Sequence, residues 1–215
     1  MGMLVGGRWV EGEVRTDEKG EFHHETKNIQ CDILAQDVEA GRFILITQRA
    51  CPWSHRTVIA LHAKGLCGAV QWVEMDMSRP PWRWAKGLPF ECSTPLESVE
   101  GHPPGMRFLW QFYALTDPNI TIRATVPVLW DRRHSKIVSN DSSHILRLFD
   151  NPTILGKLGA ESGLPLYFSH SEETRSEIDR VNQIVFEGLN DGIYKAGLAS
   201  ACYWCHARRG YFAKA

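Results

Sequence analysis

The chain lacks most of the features that assign a protein quickly, and each absence removes a class. No apolar run approaches the roughly 18 residues of a membrane-spanning helix. The start Met1-Gly2-Met3-Leu4 lacks the basic and apolar blocks of a signal peptide. Both absences predict a soluble, cytoplasmic protein. A formal net charge of -1 over 215 residues offers no basic surface for nucleic acid. The six cysteines (31, 51, 67, 92, 202 and 205) follow no disulfide-framework spacing, so in a reducing compartment they are expected to stay thiols. Internal repeats and low-complexity segments are missing too. With 43% hydrophobic and 23% charged residues, what remains is an ordinary globular chain of one domain or two small ones.

The informative feature is Cys51-Pro52-Trp53-Ser54-His55-Arg56, between the apolar run Phe43-Ile44-Leu45-Ile46 and the helical pattern Val58-Ile59-Ala60-Leu61. A thiol where a strand hands over to a helix faces unpaired N–H groups and the positive end of the helix dipole, which favour the nucleophilic thiolate. Proline at the next position suits a helix start, because its missing N–H has no partner there. His55 and Arg56 add positive charge nearby. Ser54 stands where a second cysteine would make a dithiol, so the chemistry is expected to be monothiol, with a second thiol supplied from solution.

Along the chain, the first 30 or so residues read as an irregular surface arm. A strand near 43 to 48, a helix near 54 to 64 stopping at Gly65, and a strand over 70 to 74 follow, an order that argues for a parallel pair with a crossover helix. Residues 77 to 105 hold six prolines with Trp82, Trp84 and Phe90, and a loop of that length is usually functional. A short helix is predicted over 107 to 115, then two strands, Thr125 to Asp131 and Lys136 to Val138, joined by a charged turn. Proline inside an apolar strand cannot donate to the ladder, and a cis peptide at Val126-Pro127 would resolve the conflict. Asn140-Asp141-Ser142-Ser143 is positioned to cap a helix through Phe149. After Asn151-Pro152 a linker of about 20 residues is expected, then a helix from 171 to 190 with Ile178, Val181, Val185 and Leu189 at helical spacing.

This order of strand, Cys-Pro helix, strand, Val-Pro strand, hairpin and Asp-Ser helix start resembles a thioredoxin-like domain of the glutathione transferase type. The strings CPWSHRTVIAL, YALTDPNITIRATVPVLWD, KIVSNDSSHILRLF and NDGIYKAGLA resemble the glutathionyl-hydroquinone reductases, the xi class of glutathione transferases, from Met1 to about Ala199. The fold class implied is α/β: a thioredoxin-like N-terminal domain followed by an incomplete all-α C-terminal domain. The expected boundaries are an N-terminal extension over 1–40, the thioredoxin-like domain over 41–155, the start of the all-α domain over 165–200 and an atypical tail over 201–215.

The resemblance implies reduction of glutathionyl-hydroquinones with glutathione as co-substrate and no metal or haem. Carried over by motif, Cys51 is the nucleophile, and Val126, ahead of Pro127, offers backbone contacts to glutathione. Asp141 with Ser142 holds its γ-glutamyl end, Trp84 is a further glutathione contact, and Tyr194 lines the hydroquinone pocket. Partners are then small molecules, with no nucleic acid and no membrane. The family forms a homodimer, here set against the short second domain.

Three departures stand out. Trp110 replaces a glutathione-binding arginine, Gly87-Leu88-Pro89-Phe90 replaces a Gly-Trp-x-Phe loop, and the chain stops about a hundred residues before the family's helical domain ends. Cys202-Tyr203-Trp204-Cys205-His206 fits the haem-attachment pattern but not a chain without an export signal. Two alternatives stay open: a glutaredoxin-like or dehydroascorbate-reducing activity, which needs only Cys51 and a glutathione site, and a non-catalytic binding module.

Overall fold

The computed structural model describes residues 2–12, 16–18, 20, 22–23, 28–75, 105–160 and 163–198. Trp84, Cys92, Cys202 and Cys205, nearly all of the proline-rich segment and the atypical tail lie outside the described residues. The chain divides into two compact units, Met1–Gly12 with Lys27–Ser169 and Glu13–Thr26 with His170–Ala215.

The first unit opens with a β-hairpin rather than an irregular arm. Strands β1 (Met3–Val5) and β2 (Arg8–Val10) pair antiparallel around Gly6 and Gly7. Both glycines have positive φ, 55° and 74°, as the primed hairpin turns require. A Cβ on Gly7 would sit 1.7 Å from the Pro118 carbonyl oxygen, so only glycine fits. Leu4 is fully buried and bridged to Ile122, which makes the hairpin part of the core.

β3 (Phe43–Gln48) is buried along its whole length, as a central strand with both faces covered must be. After the crossover helix α1 (Pro52–Ala63), β4 (Val70–Met75) pairs with β3 in parallel. Gly65 ends that helical segment with a φ of 66°, in the left-handed region. Helix α2 (Leu109–Thr116) leads through the cis peptide Val126-Pro127 to β5 (Val128–Asp131), antiparallel to β3, and β6 (Lys136–Ser139) completes the order β4-β3-β5-β6.

Alternation along β3 builds two cores. Ile44 and Ile46 join Trp130, Phe112 and Tyr113 on the α2 side. Phe43 and Leu45 join Leu61, Ile145 and Phe149 on the side of α1 and α3 (Ser142–Asp150).

The expected linker after Asn151-Pro152 instead begins with helix α4 (Pro152–Lys157). Asn151 caps it by accepting from the N–H groups of Thr153 and Ile154, and Ile154 and Leu155 bury against the α1/α3 core. The signal was in the sequence, since Asn-Pro is a cap followed by a favoured first helical residue. Beyond α4 the backbone is held by a buried ion pair. Lys64 Nζ lies 2.5 Å from Asp150 and donates to the Leu164 carbonyl at 2.9 Å. The other Asp150 oxygen accepts from Tyr167 and Phe168 N–H, both at 2.7 Å. At the start of β3, buried Arg42 bridges Asp131 (2.9 and 2.7 Å) and Asp37 (3.0 Å), pinning the end of the sheet remote from Cys51.

In the second unit, Ser171 caps α5 (Glu172–Val185), which continues through a π-helical turn at Phe186–Asn190 into α6 (Asp191–Leu198). Val181, Ile184, Phe186, Leu189 and Ile193 are exposed. No helix among the described residues is long and apolar enough to cross a membrane.

Burial raises the Asp150 and Asp131 carboxyls, but the sum of their hydrogen bonds and nearby positive charge, from Lys64 with the Phe168 and Tyr167 N–H groups for Asp150 and from Arg42 with His134 for Asp131, holds both below the ordinary carboxylate range. A depressed folded-state pKa gives stability that is complete above the unfolded value, about 4, and drains away as pH falls through the lower folded value. Asp150→Asn is therefore expected to lose about 3 kcal/mol at pH 7 by leaving Lys64 buried and unpaired. It should also lose less than the parent on acidification below about pH 4. Urea unfolding at both pH values checks this.

Candidate functional site

Cys51 is the N-cap of α1, with extended backbone (φ -94°, ψ 113°) and Pro52 at the first helical position. Its N–H donates to Gln48 O and its carbonyl accepts from His55 N–H, both at 3.0 Å, which fixes the handover from β3. The half-buried thiol takes no capping bond from the helix and donates to the Val126 carbonyl at 3.6 Å. Ser54 is buried, and its hydroxyl accepts from Gln48 N–H at 3.4 Å, so it fastens the first turn of α1 to β3.

Sequence reasoning missed the clamp on the Val126-Pro127 loop. The fully buried Tyr113 hydroxyl donates to Thr125 O at 2.7 Å and accepts from Thr125 N–H at 3.2 Å. Burial pushes its pKa up to about 12, against the pull of those bonds, so the phenol stays protonated and able to donate. Tyr113 sits within α2, and nothing local to that helix points to residue 125.

Asp141 caps α3 as its motif predicts. One carboxylate oxygen accepts from Ser143 N–H (2.7 Å) and His144 N–H (3.1 Å). The other accepts from the side-chain amides of Asn28 (2.8 Å) and Gln30 (3.0 Å). Ser142 is buried at the first position of the helix. Arg56 links this cap to α1: its Nη2 donates to Ser143 Oγ at 2.5 Å and its guanidinium lies 5.6 Å from the Trp53 ring centroid. Burial lowers the Arg56 pKa, with Asp141 opposing the shift and Arg147 adding to it. Burial likewise lowers that of His144, against Asp141 and Asp32.

The structure thus brings Cys51, Val126 and Pro127 together, and ties the Asp141-Ser142 helix start to α1 through Arg56. Tyr194 lies half-buried on α6 of the second unit. Trp110 stacks on Trp9 (6.0 Å, 18°) and on Phe108 (6.2 Å, 11°), an aromatic brace between the N-terminal hairpin and α2. Among the described residues, no group of three His, Cys, Asp or Glu side chains is placed to hold a metal ion.

Residues 50–151 match the sequence model of the glutathione S-transferase N-terminal domain. They form such a domain. The glutathionyl-hydroquinone reductase PcpF of Sphingobium chlorophenolicum is 33% identical over 204 residues, covering 93% of this chain and 61% of its own length. Among solved structures, the xi-class glutathione transferase of Natrialba magadii superposes with a TM-score of 0.73 at 30% identity, over 98% of this chain and 62% of that one. The glutathione-bound structure of YqjG, a glutathione transferase homologue from Escherichia coli K-12, gives 0.70 at 30% identity, over 99% and 64%. The chain therefore spans somewhat over three fifths of the length of these relatives. Within the glutathione S-transferase domain, the Cys51 junction and the Asp141 cap both fall inside the matched residues.

Replacing Tyr113 by Phe removes the hydroxyl that pairs with the Thr125 N–H and C=O. Tyr113→Phe is expected to cost about 0.5 to 1.5 kcal/mol in urea unfolding, the net worth of an ordinary hydrogen bond. It should also speed alkylation of Cys51 by iodoacetamide in the folded state, because the thiol's partner carbonyl at Val126 is held less firmly.

Proposed function

We propose that the chain binds glutathione along the Val126-Pro127 loop and the Asp141-Ser142 helix start, and that Cys51 is the nucleophile of a glutathione-dependent reductase acting on glutathionyl-hydroquinones. The carrying observation is the Cys51 thiol at the N-cap of α1, 3.6 Å from the Val126 carbonyl. A loop backbone open beside a sulfur nucleophile supports a peptide ligand at this point. The likeness to PcpF, together with the glutathione-bound YqjG structure, supports the choice of substrate class.

In the proposed reaction the Cys51 thiolate attacks the sulfur of the glutathionyl group. The aryl carbon–sulfur bond breaks, the ring carbon takes a proton, and hydroquinone leaves. A Cys51-glutathione disulfide remains. The thiolate of a second glutathione attacks its glutathionyl sulfur, releasing oxidised glutathione and restoring Cys51. The aryl carbon gains two electrons and a proton, while the substrate's glutathionyl sulfur and the thiol of one free glutathione are joined as a disulfide, so the electrons balance. Ser54 supplies no resolving thiol, which is why the second glutathione must come from solution. Trp84 and Tyr194 belong to the proposal as a glutathione contact and a wall of the hydroquinone pocket.

Incubated with a glutathionyl-hydroquinone and excess glutathione, the purified chain is expected to release hydroquinone and oxidised glutathione in equal amounts. Cys51→Ala should reduce both to background. Turnover that survives the substitution would contradict the assignment.

A further inference from the structure

Helix α1 begins at Cys51 and ends beside a second thiol that the proposed reaction leaves unused. Its 12 residues set the two ends about 18 Å apart. Past Ala63 the left-handed Gly65 (φ 66°) turns the backbone into a short 3₁₀ turn, Leu66–Gly68, held down by the fully buried Leu66. That turn carries the exposed Cys67 back to the last turn of α1, where its sulfur lies 3.2 Å from His62 Nδ1. A thiol within reach of an imidazole has a base for its proton, and the pair works as a unit when a third group orients the base. Here that group is Trp72 on β4, set edge-on to His62 at 5.9 Å and 87°. Trp72 is itself fixed, since its indole N–H donates to Thr47 Oγ1 at 2.7 Å. Residues of α1, β3 and β4 thus orient a nucleophile and its base outside the Cys51 junction.

The surroundings select the reagent. Trp72 is 40% exposed and Ile59 56%, and Ile59 stands three residues before His62 on the same helical face. A sulfur among an indole, an imidazole and an isoleucine favours a flat, uncharged electrophile over a charged one. We propose that Cys67, with His62 as its base, is a second nucleophilic site that takes quinones as covalent ligands. The sulfur bonds to a ring carbon of the quinone. The thiol proton passes by way of His62 to one ring oxygen, and the hydrogen of the attacked carbon moves to the other. The product is a hydroquinone ring joined to Cys67 through a thioether, with no further reactant. The site stands apart from the glutathione reading, because neither Cys51 nor glutathione takes part.

The test treats the full chain with a limiting amount of 1,4-benzoquinone and follows each cysteine-bearing peptide by mass spectrometry. At pH 7 the adduct at Cys67 is expected to form at least about tenfold faster in the parent than in His62→Gln, a modest share of what a positioned base contributes. The gap should close near about pH 9.5, above the ordinary thiol value of about 8.5, because the thiol then ionises without a base. Cys51 modified at equal rates in the two proteins separates loss of the base from loss of the fold. Oxidised glutathione, a charged disulfide, is expected to leave Cys67 unmodified under the same conditions. The proposal is overturned if parent and His62→Gln react alike at pH 7, if their gap persists unchanged at the higher pH, or if Cys67 takes glutathionyl groups in preference to the quinone.

Discussion

The antiparallel register of β3 and β5, with Ile46 opposite Val128, is the constraint on which the site depends. β3 runs out of the sheet toward Cys51 at the same edge where Val126-Pro127 runs in, so pairing these two strands brings the thiol against the loop's carbonyl. Neither partner could find the other by local structure alone, because 75 residues separate them. The two cores hold that register, since Ile44, Ile46 and Trp130 bury on one face while Phe43, Leu45 and Leu129 bury on the other. A slip of one residue would exchange the faces of a strand buried throughout.

Around this junction each side is braced differently. The thiol side is rigid because Ser54 ties the first turn of α1 to Gln48. The loop side is rigid because Tyr113 holds both backbone polar groups of Thr125. Arg56 joins α1 to the cap of α3 and is largely withdrawn from water, which makes it a brace between helices rather than a free surface cation. On the proposed reading, the protein contributes one sulfur and a fixed frame for a tripeptide, and the ligand brings the second sulfur.

Much of this was legible in the sequence. The Cys-Pro junction, the parallel β3–α1–β4 unit, the cis Val126-Pro127 bond and the Asp141 cap each follow from a few adjacent residues with a local physical signature. Other features were not. The N-terminal hairpin depends on Leu4 meeting Ile122 and on Gly7 passing Pro118, and α4 stands where a linker is expected after Asn151-Pro152, although that pair is a cap and a first helical residue. Trp110 showed as the loss of an arginine, yet its stack on Trp9 and Phe108 is a tertiary fact. The amides on Asp141 come from a segment with no periodic pattern, more than a hundred residues away.

The most direct test of the central claim is mass spectrometry of the chain after a single turnover with a glutathionyl-hydroquinone and no free glutathione. The account predicts one glutathionyl group per chain, carried on the peptide containing Cys51, released by added glutathione, with one hydroquinone formed for each group attached. Hydroquinone released with Cys51 left unmodified, or the glutathionyl group found on Cys31 or Cys67, would contradict it.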